Sequence, residues 1–162
     1  MGNDGLIGIG LFMGGGSTPS RALVQNGGLG YRLPAAFAKQ QFEECKPVMH
    51  LFLAFTQALM AQMTQTGACN KHHSLDQQLC RWLLLTLDRY KGMELRMTKQ
   101  LISNMLGVTG AVMREGAKNL EDEGLLHYAN GHITVLDRPG LEKRTCECYA
   151  LVKKEHDRLL PQ

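Results

Sequence analysis

Two groups of residues in this sequence have side chains suited to chemistry. The first is a set of soft ligands, Cys69, His72, His73, Cys80 and the pair Cys146-x-Cys148. Thiolates and imidazoles capture a transition metal when their spacing brings several of them to one point, most recognisably as Cys-x2-Cys or His-x3-His. Neither spacing occurs here, and adjacent histidines point in different directions. Helix capping and surface polarity therefore account for His72 and His73, packing accounts for Cys148, and no metal or cofactor is expected. The second group lies between Thr98 and Lys118: Thr98, Lys99, Gln100, Thr109, Arg114, Glu115 and Lys118. Hydroxyls, amides and ammonium groups hold phosphates, a guanidinium can pair with guanine, and a carboxylate can accept from cytosine. Arg114 and Glu115 are equally readable as solvated helix charges. No nucleophile, base and orienter combine in the sequence, so catalysis is not expected.

The composition sets the frame for that second group. The chain has 162 residues, 44% apolar and 20% charged, which suits a folded globular protein with a real core. A net charge of +3 and a pI of about 8.6 permit a polyanionic partner without demanding one. Five cysteines without a pairing framework read as free thiols. No secretory leader and no apolar run of spanning length is evident, so a cytoplasmic location is expected.

The elements that must position the polar group follow from local patterns. Thr98 precedes an apolar edge of Ile102, Met105 and Leu106, and Gly107 ends that short helix with the positive φ a tight turn needs. Val108 plugs the angle and Thr109 caps a second helix over about 110–123. There Val112, Gly116 or Ala117, and Leu120 should face the core, leaving Gly110, Ala111, Arg114, Glu115 and Lys118 outward. After Gly124, two alternating runs flank Asn130-Gly131, which is hairpin grammar. Helix, glycine turn, helix and hairpin over 93–136 together spell a winged helix-turn-helix.

Upstream, Met49, Phe52, Thr56, Leu59, Met63 and Thr66 recur at alternating steps of four and three over about 47–68, an a/d seam for pairing two copies of one helix. The alternative is a core helix within a single chain. Ser74 caps a further amphipathic helix carrying Leu75, Leu79, Trp82, Leu83 and Leu87. A last helix over 139–162 places Leu141, Thr145, Cys148, Val152 and Leu159 on one stripe. Residues 2–33 alternate short apolar runs with glycine clusters such as Gly14-Gly15-Gly16-Ser17, the grammar of short strands. No Gly-Lys-Ser/Thr follows to make a phosphate loop.

The stretch 97–109, with Leu120-Glu121-Asp122-Glu123-Gly124-Leu125-Leu126, resembles the Crp/Fnr family of bacterial transcription regulators. Residues 72–84 resemble the helix that follows the family's dimerisation helix, and 5–45 the last part of its sensory β-roll. The resemblance implies an α+β fold. It divides into a roll remnant over 1–45, a dimerisation helix over 46–70 seamed by Met49, Phe52, Thr56, Leu59 and Met63, a winged helix-turn-helix over 71–138 and a C-terminal helix over 139–162. It implies a homodimer on double-stranded DNA, with a recognition helix in each major groove of a palindromic operator and RNA polymerase as a further partner. Thr98, Gln100 and Thr109 fall at backbone-contacting positions, with Lys99 beside them and Asn130 and His132 on the wing. Gly110, Ala111 and Glu115 fall where the family reads bases, without its Arg and Glu pattern. Because Met1 lies about 45 residues before the central helix, only part of a roll of roughly eight strands is expected. Its cyclic-nucleotide cassette lacks the glutamate, and the Arg-Ser pair is reversed as Ser20-Arg21, so cyclic-nucleotide binding is not expected and these two stay weak pocket candidates. The alternative function is a dimerisation or protein-interaction module that modulates full-length regulators.

Overall fold

The computed structural model describes every residue except Met1, Asn3, Asp4, Ser20, Gln25, Asn26, Lys91, Met93, Pro161 and Gln162. Its elements run α1 (Ala35–Glu44), α2 (Lys46–His72), α3 (Leu75–Leu87), β1 (Glu94–Arg96), α4 (Lys99–Leu106), α5 (Gly110–Asp122), β2 (Leu126–Ala129), β3 (His132–Val135), α6 (Arg138–Arg144) and α7 (Cys148–Leu159). A single antiparallel sheet of order β1-β3-β2 pairs Leu95 with Ile133 and Tyr128 with Ile133. The class is α+β.

The core gathers on α3. Its start is fixed by a capping box in which Ser74 Oγ accepts from the Gln77 N–H at 3.3 Å and Gln77 Oε1 accepts from the Ser74 N–H at 3.1 Å. Leu79, Leu83 and Leu84 are fully buried there, against Ile102 of α4, Met113 and Leu120 of α5, Ile133 of β3 and Leu141 of α6. Arg144 bridges three elements, donating to Asp76 at 3.1 Å and to Glu123 at 3.2 Å. α2 runs 27 residues, about 40 Å at 1.5 Å per residue, and α7 lies along it. A small second cluster of Phe55, Ala58 and Leu160 takes in Leu6 and Ile9, while Phe12 stacks on Phe42 and lies 4.5 Å from the Phe52 ring centroid.

Several sequence expectations change. No strand occurs among the described residues before Glu94, so the expected roll remnant over 1–45 is instead a 3-10 turn at Ile9–Leu11 followed by α1. A strand needs neighbours for its backbone N–H and C=O groups, and a glycine-rich stretch gains little from pairing. Leu6, Ile9 and Phe12 find apolar partners on α2, whereas Leu23, Val24, Leu29 and Tyr31 stay exposed. The central helix extends past Asn70 to His72, and the final helix is two, broken where Thr145 turns extended at ψ 167°. On α5 the core position is Met113, fully buried, while Val112 is 43% exposed. On α4, Met105 is likewise turned outward.

The register of α5 is testable by stability. Met113→Ala should cost about 2–5 kcal/mol in urea unfolding, as for a buried large-to-small change. Val112→Ala should stay within about 0.5 kcal/mol.

Candidate nucleic-acid interface

The surface that collects the polar residues is made by α4, α5 and the β2–β3 hairpin. Thr98 Oγ1 accepts from the Leu101 N–H at 3.2 Å and Thr109 Oγ1 from the Val112 N–H at 3.4 Å, so both threonines cap their helices as expected. Each hydroxyl proton remains available to a phosphate oxygen. Between the helices Gly107 has φ 69°, and a Cβ there would touch nothing within 4 Å. The glycine is required by its backbone conformation alone. Val108 packs partly buried against the core, as the plug of the turn.

α5 approaches α3 closely at Gly116, where a Cβ would sit 2.9 Å from Leu75 Cδ2. With Met113, Gly116, Ala117 and Leu120 inward, Ala111, Val112, Arg114, Glu115 and Lys118 are exposed. Lys118 is already engaged: its ammonium lies 2.7 Å from Asp122 Oδ2, and that hydrogen bond raises its pKa above the ordinary lysine value. Arg114 and Glu115 form no ion pair among the described residues, and the Arg114 guanidinium folds over the first turn near Gly110. Gln100, exposed on α4, donates to Asn104 Oδ1 at 2.8 Å.

The hairpin is fastened to both helices through Tyr128. Its hydroxyl donates to the Met97 carbonyl at 3.2 Å and accepts from the Lys99 N–H at 3.0 Å, while the Lys99 ammonium sits 4.3 Å above the ring. The Tyr128 N–H donates to Glu121 Oε1 of α5 at 2.8 Å. At the tip, Asn130 (φ 52°) and Gly131 (φ 80°) are both left-handed, the requirement of a two-residue hairpin turn. Asn130 is exposed, and His132 is paired with Glu94 of β1. Tyr128, Glu121 and the exposed Arg96, which lies opposite His132 in the sheet, are contributions that sequence reasoning missed. The signal for Arg96 was weak, since β1 is only three residues long.

Other candidates fall differently. Arg21 is exposed, and Ser20 lies outside the described residues. Of the seam residues, Phe52 is covered by Phe12, Thr56 is buried with its hydroxyl on the Phe52 carbonyl at 2.8 Å, and Met49 and Leu59 are half-buried. Met63 is exposed, and so are Leu53 and Met60 on the neighbouring stripe. The soft ligands do converge, contrary to the sequence expectation. Cys69, His73, Cys146 and Cys148 bring their ligand atoms within 4.8 Å of one another, while His72 and Cys80 stay out of the group. Burial pushes the Cys69 thiol up to about 12 and raises Cys148 as well.

Residues 77–144 match the Crp-like helix-turn-helix domain family. That segment carries a Crp-like helix-turn-helix domain. It is also similar to a solved structure described as a transcriptional regulator of the Crp/Fnr family from Eubacterium rectale, with a TM-score of 0.52 and 25% identity over 68% of this chain. The match takes in 51% of that protein, so the chain spans about half the length of the regulator it resembles. No curated protein matches in sequence. Within the Crp-like domain, β1 and the Tyr128 contacts join the helix pair to its wing. No described helix is long and apolar enough to cross a membrane.

Loss of the Tyr128 hydroxyl separates positioning from contact. Tyr128→Phe should cost about 1 kcal/mol in urea unfolding through its two lost hydrogen bonds. Arg114→Ala, at a side chain without an ion pair, should change stability by less than about 0.5 kcal/mol.

Proposed function

We propose that the chain is a transcription regulator that binds duplex DNA as a homodimer, with α5 of each copy in the major groove of a palindromic site. The observation that carries this is the exposed face of α5, where Arg114 and Glu115 have no ion-pair partner among the described residues and stand beside the capped N-terminus of the helix. A side chain held in no internal pair is free to meet a base edge, and an Arg can address guanine through two parallel bonds. The N–H groups that open α4 and α5, the hydroxyls of Thr98 and Thr109, and the cations of Lys99 and Arg96 are suited to phosphates. Gly110 and Ala111 bring no polar side chain, while the exposed Val112 offers methyl groups to a thymine. The operator should differ from one read by an Arg and Glu pair at the family's positions.

Pairing along α2 is supported by its exposed stripe of Leu53, Met60 and Met63, at 50%, 57% and 64% exposure. Separations of seven and three residues put these side chains on one face of the helix. The stripe lies beside the one the sequence suggested, because Phe52 and Thr56 are taken by the chain itself.

Gel retardation on the chain's own promoter region is the direct test. Affinity should fall steeply between 50 and 200 mM salt, by roughly 10³–10⁵ if six to ten phosphates are contacted. Lys99→Ala should weaken all sequences alike, whereas Arg114→Ala should flatten preference at one base pair by about 1–3 kcal/mol. No binding to any duplex at low salt would refute DNA recognition and favour a protein-interaction module.

The dimer is checked separately by light scattering. The wild type should run at twice the chain mass and Met60→Glu/Met63→Glu at one. A monomeric wild type at micromolar concentration would contradict pairing through α2.

A further inference from the structure

Cys69 and His73 stand one helical turn apart at the end of α2, facing Cys146 and Cys148 where α7 begins. We propose that these four residues hold a single zinc ion in a closed Cys3His site that clamps α7 to the end of α2.

The distances suit one ion. Zinc at about 2.3 Å from sulfur and 2.0–2.1 Å from nitrogen, in a tetrahedron, sets its ligand atoms roughly 3.5–3.8 Å apart. Cys69 Sγ and Cys146 Sγ are 3.6 Å apart, and Cys148 Sγ lies 3.5 Å from His73 Nδ1. A disulfide would draw two sulfurs to about 2.0 Å and leave the other cysteine and the histidine without a role. A cluster of several irons spreads its cysteine sulfurs over different metal atoms, farther apart than a group spanning 4.8 Å. Four protein ligands leave no open position, which marks a structural site.

The surroundings are built for the same occupant. His73 Nε2 lies 3.2 Å from Glu147 Oε1, so an Nε2–H can donate a hydrogen bond to the carboxylate while the unprotonated Nδ1 faces the metal, the usual partnership of a metal-binding histidine. Gln65 Nε2 donates to Cys148 Sγ at 3.0 Å, a bond that favours thiolate. Arg81 is 3% exposed, its charge acts on Cys69, and its Nε has no hydrogen-bond partner among the described residues. A lone buried cation is costly. Three thiolates against a divalent ion leave one negative charge, which the Arg81 guanidinium balances. On binding, the three thiol protons pass to solvent.

The clamp joins parts of the chain separated by more than seventy residues, as |i−j| is 77 for Cys69 and Cys146. It fixes α7, and with it the helix-turn-helix domain, against α2. This site stands whether or not the chain binds DNA.

Elemental analysis of the full chain, purified under reducing conditions without chelator, should find one zinc per chain. Cobalt(II) added to the metal-stripped protein should give thiolate charge-transfer and tetrahedral d–d bands. Cys69→Ser and Cys146→Ser should lose the metal, and Cys45→Ser should keep it. His73→Cys should retain zinc where His73→Ala does not, and Glu147→Gln should weaken affinity about 10–100-fold. Circular dichroism of Cys45→Ser and His73→Cys guards against misfolding as the explanation. The proposal is overturned if the reduced chain takes up neither zinc nor cobalt. It is equally overturned if iron with sulfide is found instead, if a Cys69–Cys146 disulfide forms in place of metal binding, or if zinc persists in both serine variants.

Discussion

Leu79, Leu83 and Leu84 leave almost no surface to water, and around them meet helices from quite different parts of the chain, α5, α6 and α7 among them. Burying three leucines is worth several kcal/mol by area, roughly 1.5–3 each. It also settles which face of every neighbouring helix turns inward. Gly116 lies against Leu75, so α5 rests on α3 with its small residues down and its charged residues up. The outward display of Arg114 and Glu115 is therefore a result of packing on the far side of the helix.

Features set by the local backbone were legible in the sequence. Gly107 and Asn130-Gly131 sit where positive φ is required, and Ser74, Thr98 and Thr109 sit where helix ends need an acceptor. Each is decided within a few residues. Val112 and Met113 were harder, because both are apolar neighbours about 100° apart on a helix and only the contact with α3 chooses between them. The N-terminal segment misled for a related reason: short apolar runs between glycines suit strands only where other strands pair with them, and here Leu6, Ile9 and Phe12 pack singly on α2 while Leu23, Val24 and Leu29 stay exposed. The convergence of Cys69, His73, Cys146 and Cys148 depends on α7 folding back along α2, which no spacing rule in the chain encodes.

The charges divide into two kinds. Arg144 and Arg138 are committed to holding elements together, with Asp76 and Glu123 on one side and Asp88 and Glu142 on the other. Lys118 is tied to its own helix through Asp122. For a polyanion, the face made by β1, α4 and α5 keeps Arg96, Lys99 and Arg114 outside any ion pair among the described residues, in a chain whose net charge is only +3. Such a surface relies on where its few cations and helix N-termini point more than on total charge.

Tyr128 touches β1's exit at Met97, the first turn of α4 at Lys99 and, through its backbone, Glu121 of α5. The hairpin is thus not a free arm that must be arrested on arrival at a partner. Its rotational freedom is given up when the domain folds, so association orders little beyond surface side chains, and affinity is not eroded by fixing a loose loop. A rigid three-part surface of this kind can also reject ill-fitting partners, because the wing cannot swing aside to relieve a clash made by the helices.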